Sequence, residues 1–299
     1  MTPELDARQA QINQFLDAQL PRQSELAQTI VDAMRHTVLG GGKRLRPMLV
    51  CATADAFGAP IQQAIAPACA VEFMHAYSLI HDDLPAMDDD DLRHGLPSAH
   101  VAYGEANAIL AGDALHSLAF ETLANNALHR SRIKLKMMQT LAQAAGWQGM
   151  AGGQHMDIKA ENQSLTLPEL EALHGAKTGA LITACGRLGA LSACLADDIQ
   201  LRASKTQCLQ ITRFGQRLGL AFQVMDDVLD VTQSSDTLGK PAGSDEALNK
   251  STFPKLMGID GARNYAHTLV DQALEILHRA DLKTTLLTQL ATLVIDRKH

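Results

Sequence analysis

Two short acidic segments hold the residues most capable of chemistry. The first runs His81-Asp82-Asp83-Leu84-Pro85-Ala86-Met87-Asp88-Asp89-Asp90-Asp91. Upstream of it, His75, Ser78 and Asp82 are spaced so as to share one face of a helix. Pro85 cannot continue a regular helix, so the chain should bend there. Asp82 and Asp88 are six residues apart and would not align on a straight helix, but a bend could bring both carboxylates to one cation. An EF-hand is excluded, because the sixth position is not Gly and no closing Glu follows. The second segment is Gly219-Leu220-Ala221-Phe222-Gln223-Val224-Met225-Asp226-Asp227-Val228-Leu229-Asp230. Gly219, Gln223, Asp226 and Asp230 form one helical stripe. Like charges one turn apart cost about 0.2–0.5 kcal/mol even on an exposed helix, and more in an apolar setting. Val224, Met225, Val228 and Leu229 predict such a setting, so a positive partner is expected. Asp oxygens suit a hard cation such as Mg²⁺, which keeps waters and favours phosphates as co-ligands. A solvated acidic loop and an ordinary polar helix face are the plainer readings of either segment alone.

Basic elements alternate with these carboxylates. Gly40-Gly41-Gly42-Lys43-Arg44-Leu45-Arg46-Pro47 is a glycine-rich turn entering a helix, where backbone N–H groups and cations can hold an anion. Without Ser or Thr after Lys43 it is not a P-loop. Arg93-His94 follows the first Asp run, Lys177-Thr178-Gly179 lies in a helical stretch, and Lys240 and Lys250 follow the second Asp cluster. Each alone could be surface charge. In alternation with two metal-type Asp clusters they provide what diphosphate chemistry requires.

The elements that must position these groups are helices. Helical periodicity recurs almost throughout, predicting helices over 3–20, 24–38, 43–57, 61–82, 103–126, 131–150, 168–196, 199–233, 261–280 and 282–296. Breaks are expected at Pro21, Gly40 to Gly42, Gly58 to Pro60, Gly95 to Pro97, Gly152-Gly153 and Ser234 to Ser244. No interdomain linker stands out among the 299 residues, so the expectation is an all-α chain forming a single domain over 1–299. A net charge of −7 argues against a nucleic-acid partner. The five cysteines include no CxxC pair, which fits small buried residues in a reducing cytosol. Neither a leader peptide nor a membrane span is expected.

Taken together, these motifs resemble those of the short-chain trans-prenyl diphosphate synthases, and among them the bacterial farnesyl diphosphate synthases. DDLPAMD at 82–88 is similar to the family's first Asp-rich motif and DDVLD at 226–230 to its second. GGKRLRP at 41–47, LAGDAL at 110–115, KTGALI at 177–182 and GK…NKST at 239–252 match in order. The resemblance covers roughly residues 25–260 and implies a helical bundle around a deep central cavity, usually a cytoplasmic homodimer. It further implies that Asp82, Asp88 and Asp226 bind Mg²⁺, with Asp83, Asp227 and Asp230 supporting water ligands or a partner cation. Arg93, Lys177, Lys240 and Lys250 would meet the allylic diphosphate, dimethylallyl or geranyl, near Thr178 and Gln223. Gly42, Lys43, Arg46 and His75 would bind isopentenyl diphosphate. Tyr77, with Ser78 beside it, resembles the floor that stops growth at fifteen carbons. His94 stands where the family usually has a second Arg facing isopentenyl diphosphate, which implies weaker, pH-dependent binding. The basic end, Arg297-Lys298-His299, would help close the site or simply be solvated. The competing readings are a geranylgeranyl or geranyl diphosphate synthase, a terpene cyclase, a non-catalytic helical subunit and a divalent-cation buffer.

Overall fold

The computed structural model describes residues 2–194, 205–233 and 250–296. Its helices are α1 (Pro3–Gln19), α2 (Gln28–Leu39), α3 (Leu45–Ala56), α4 (Ile61–Asp82), α5 (Ala99–Tyr103), α6 (Glu105–Ala124), α7 (Ser131–Ala145), α8 (Met150–Lys159), α9 (Leu167–His174), α10 (Ala180–Ser192), α11 (Lys205–Thr232), α12 (Phe253–His278) and α13 (Thr285–Ile295). A π-helical turn, Gly175–Gly179, joins α9 to α10. The sole sheet among the described residues is a two-residue hairpin, β1 (Leu92–Arg93) against β2 (Leu96–Pro97). The all-α expectation is met.

The central helices are largely apolar round their circumference and are buried over most of their length. From Pro67 to Ala76 on α4 only His75 is not fully buried, and most of α10 is enclosed. One continuous apolar core runs from Leu5 to Val294 and includes Phe73, Leu115, Met137, Phe214 and Phe253. Each such side chain contributes roughly 1.5–3 kcal/mol on full burial. All five cysteines are free and four are buried. No described helix is long and apolar enough to cross a membrane.

The boundaries differ from expectation in instructive places. Gly152-Gly153 lie inside α8 rather than at a break, because a Cβ on Gly153 would stand 2.1 Å from the Lys177 backbone nitrogen. The glycine is there for close packing. The predicted 168–196 helix is divided by the π turn. The helix predicted from 261 starts at Phe253, capped by Thr252, which accepts a hydrogen bond from the Lys255 N–H. Its backbone is non-helical at Gly258.

Arg44 enters the core rather than the solvent. Its guanidinium donates to Glu72 at 2.8 Å, to Asn13 and to the Val38 carbonyl, and both members of the ion pair are buried. Removing one member strands the other charge. Glu72→Ala should therefore lower unfolding free energy by about 3–5 kcal/mol, as read by urea denaturation. A loss within measurement error would show that the pair is dispensable.

Candidate active site

At the end of α4 the chain turns where Pro85 requires it. The Asp88 N–H donates to the Asp82 carbonyl at 2.9 Å, folding the first Asp segment back on itself. Burial, then the carboxylates of Asp88 and Asp83, push the Asp82 carboxyl up to about 6, against the opposing pull of Lys177 and Arg93. Arg93, at the end of β1, forms an ion pair with buried Asp83 and another with Asp90. Burial alone would lower the guanidinium, but Asp83, Asp90 and Asp82 outweigh it and hold Arg93 firmly charged.

A carboxylate that sequence reasoning missed sits at the centre. Asp157, buried on α8, accepts Lys177 Nζ at 2.6 Å and Lys250 Nζ at 3.1 Å. Lys250 Nζ also lies 3.4 Å from Asp88 Oδ1. Burial raises the Asp157 carboxyl and lowers the Lys177 ammonium, but their mutual attraction wins, holding Asp157 below and Lys177 above its usual value. Asp88, Lys250, Asp157 and Lys177 thus form one chain of charges. The next residue, Thr178, begins an uncharged link to the second Asp segment. Thr178 Oγ1 donates to Gln223 Oε1 at 3.1 Å, and Gln223 Nε2 donates to Asp227 Oδ1 at 3.0 Å. Asp227 also accepts the Phe253 N–H at 3.1 Å, anchoring the start of α12. α11 comes this close because Gly219 lacks a side chain; a Cβ there would lie 2.8 Å from the Gly179 Cα. Asp226 is half-buried on the same turn of α11, with Asp230 buried one turn on. The signal for Asp157 was its place one turn after a helical glycine pair, on the face those glycines bring against the π turn.

The remaining bases gather around the glycine-rich turn. Lys43 is exposed. Arg46 Nη1 lies 3.0 Å from His75 Nε2, and its guanidinium stands over the Phe222 ring. Burial, then Arg46, keep the His75 imidazole well below its ordinary value, so it is the neutral acceptor in that pair. The Gly42 carbonyl accepts from Gln9 Nε2. Tyr77 stands edge-on to His81 at 5.1 Å and to His116 at 5.2 Å, with Phe120 edge-on to His116 in turn. Ser78 Oγ donates to the His75 carbonyl. Lys240 and the 297–299 end lie outside the described residues.

No three His, Cys, Asp or Glu side chains among the described residues converge enough to hold a metal by themselves. The donors nevertheless fit Mg²⁺. They are hard carboxylate oxygens, one of them poorly compensated at Asp82, in a site whose cations are placed to bring an anion as co-ligand. Such an arrangement can stabilise a departing, highly charged group. Residues 27–290 match the Polyprenyl synthetase family model. The chain belongs to the polyprenyl synthetase family. Among its relatives, the polyprenyl synthetase named farnesyl diphosphate synthase from Escherichia coli (strain K12) is 48% identical over 98% of each chain. The farnesyl diphosphate synthase of Haemophilus influenzae is 45% identical over 99% of this chain and 98% of its own. A crystal structure of geranyltransferase from Helicobacter pylori, complexed with magnesium and isoprenyl diphosphate, superposes with a TM-score of 0.84. It is 33% identical, and the match covers 99% of this chain and 97% of that one. The fold is therefore that of the isoprenoid synthases.

Proposed function

We propose that this polyprenyl synthetase makes farnesyl diphosphate, condensing isopentenyl diphosphate first with dimethylallyl and then with geranyl diphosphate. The observation that carries the reading is the charge chain from Asp88 through Lys250 and Asp157 to Lys177, which continues through Thr178 and Gln223 to Asp227. It sets Asp88 of the first Asp-rich segment on the lysine pair, and an uncharged Thr178–Gln223 link joins the turn that carries Lys177 to Asp227 of the second.

Asp82, Asp88 and Asp226 are the residues that would hold Mg²⁺. When bound, the metal supplies positive charge against the leaving diphosphate. Lys177 and Lys250, with Lys240 from the sequence, contact the allylic diphosphate oxygens; Arg93 orients Asp83 and faces the same group. These fixed cations stabilise charge that develops as the allylic C–O bond breaks. Thr178 and Gln223 line the allylic end. Gly42, Lys43, Arg46, His75 and His94 hold isopentenyl diphosphate so that its double bond attacks the allylic carbon. The proton lost from the new bond goes to the released diphosphate. We assign the whole chain to one domain, working as a homodimer in the cytoplasm, in keeping with free, mostly buried thiols.

The test is incubation of purified protein with isopentenyl and dimethylallyl diphosphates, with and without Mg²⁺. Fifteen-carbon product formed only with the metal supports the reading; twenty-carbon product makes it a geranylgeranyl diphosphate synthase; absence of condensation overturns it. Product length follows from the aromatic group of Tyr77, His116 and Phe120 below the first Asp segment. Tyr77→Ala should shift products beyond fifteen carbons on chromatography, and an unchanged length would remove Tyr77 from the floor.

A further inference from the structure

His94 is held in an unusual place. The hairpin turn between β1 and β2 is His94-Gly95, and both residues have positive φ, 54° and 77°. That is the backbone of a type I′ turn, the geometry that matches strand twist. It lays the His94 ring against the glycine-rich turn. A Cβ on Gly42, whose φ is 101°, would stand 3.4 Å from His94 Nε2 and 3.5 Å from Arg44 Nη1. Glycine there keeps the ring edge uncovered, and the residue as a whole remains exposed to an incoming ligand.

The charges around the ring are of one sign. Arg93 precedes it on the hairpin, and Lys43 and Arg44 act on it from the glycine-rich turn. His75 on α4 also feels it, but is already engaged as the acceptor of Arg46. The nearby acids are committed to other partners: Asp83 and Asp90 to Arg93, and Glu72 to Arg44. Partial burial and these cations both lower the imidazole below its ordinary value. An anion arriving among the same cations reverses the field, because a negative group favours the charged ring.

We propose that His94 is neutral in the free enzyme and takes up a proton as a diphosphate enters, so that binding of the isopentenyl substrate is proton-linked. This rests on the assignment of that substrate to the Lys43–Arg46–His75 site. Where an arginine would hold a fixed fourth cation beside Lys43, Arg44 and Arg93, the histidine adds its charge only when the ligand is present. The sign follows. Because binding takes up a proton, affinity falls as pH rises between the free and the bound imidazole values, by up to about tenfold per pH unit.

The test is titration calorimetry of the metal-free protein with isopentenyl diphosphate, near pH 7.5, in two buffers of different ionisation enthalpy. Native protein should take up about half a proton or more beyond the substrate's own contribution. His94→Asn, which suits a type I′ turn, and His94→Arg, a conformation Arg44 already adopts at φ 54°, should both fall to the substrate's contribution alone. His94→Arg should also keep its affinity at higher pH, where the native protein weakens. Equal uptake in all three proteins would overturn the proton link and leave the site assignment standing. Failure of the native protein to bind isopentenyl diphosphate would overturn the site assignment and the link together.

Discussion

Asp82→Asn should lower kcat by about a hundred- to a thousandfold, the loss expected when a principal electrostatic element of a charge-stabilising site is removed. The same substitution should leave the fold intact and, without metal, raise the melting temperature. The reason lies in the local field. Burial and the neighbouring Asp88 and Asp83 raise the Asp82 carboxyl from 3.8 to about 6. The folded chain therefore favours the protonated form. The contribution of this group to stability is greatest below the unfolded value, declines as pH rises through that interval, and stays low above it. At neutral pH the ionised carboxylate costs the native state on the order of 1–3 kcal/mol. An amide avoids that cost, so the stabilisation should be clear at pH 7 and should shrink as pH falls toward 4. Thermal melts of both proteins across this range, in chelator, measure it. A variant that is inactive and more stable has lost a charge kept for catalysis, as is common at active sites. Loss of both activity and stability would mean that Asp82 serves the fold.

Asp157→Asn carries the second large effect, about a hundredfold in kcat/KM, on the scale of misplacing a positioned group by an ångström. Asp157 is a positioning residue. It holds Lys177 and Lys250 on one carboxylate oxygen and so keeps two ammonium groups close together. An amide has no charge to offset their repulsion. The Lys177 ammonium, which Asp157 does most to keep charged against burial, should then deprotonate at lower pH. The readout that separates this role from simple destabilisation is the pH profile: the alkaline limb of kcat/KM should move to lower pH, and Asp157→Glu should restore part of both rate and profile. An unmoved limb would show that the lysines are placed by something else.

Much of this site was legible because its residues lie in short segments. Paired Asp residues at a helix end, Pro85 after them, and a Gln223–Asp226–Asp230 stripe are all local patterns, and each falls on the expected element. The helical bundle was legible for the same reason, since long apolar periodicity needs no tertiary information. Boundaries failed where packing overrode local preference. Gly152-Gly153 read as a break because glycine is a poor helix former, yet α8 needs it to approach the π turn. Arg44 read as one more base of the anion turn, but its partner Glu72 is 28 residues away and invisible to any local rule.

The residue types alone therefore determined the helical class, the two carboxylate clusters and the cations alternating with them, because each depends on neighbours within one or two turns. Tertiary structure decided which charges meet: Asp157 between Lys177 and Lys250, Gln223 against Thr178, and His94 over the glycine-rich turn. Those pairings join helices, turns and a hairpin contributed by separate stretches of the chain. Sequence spacing does not encode the distance between two such stretches; the packing of the core between them sets it.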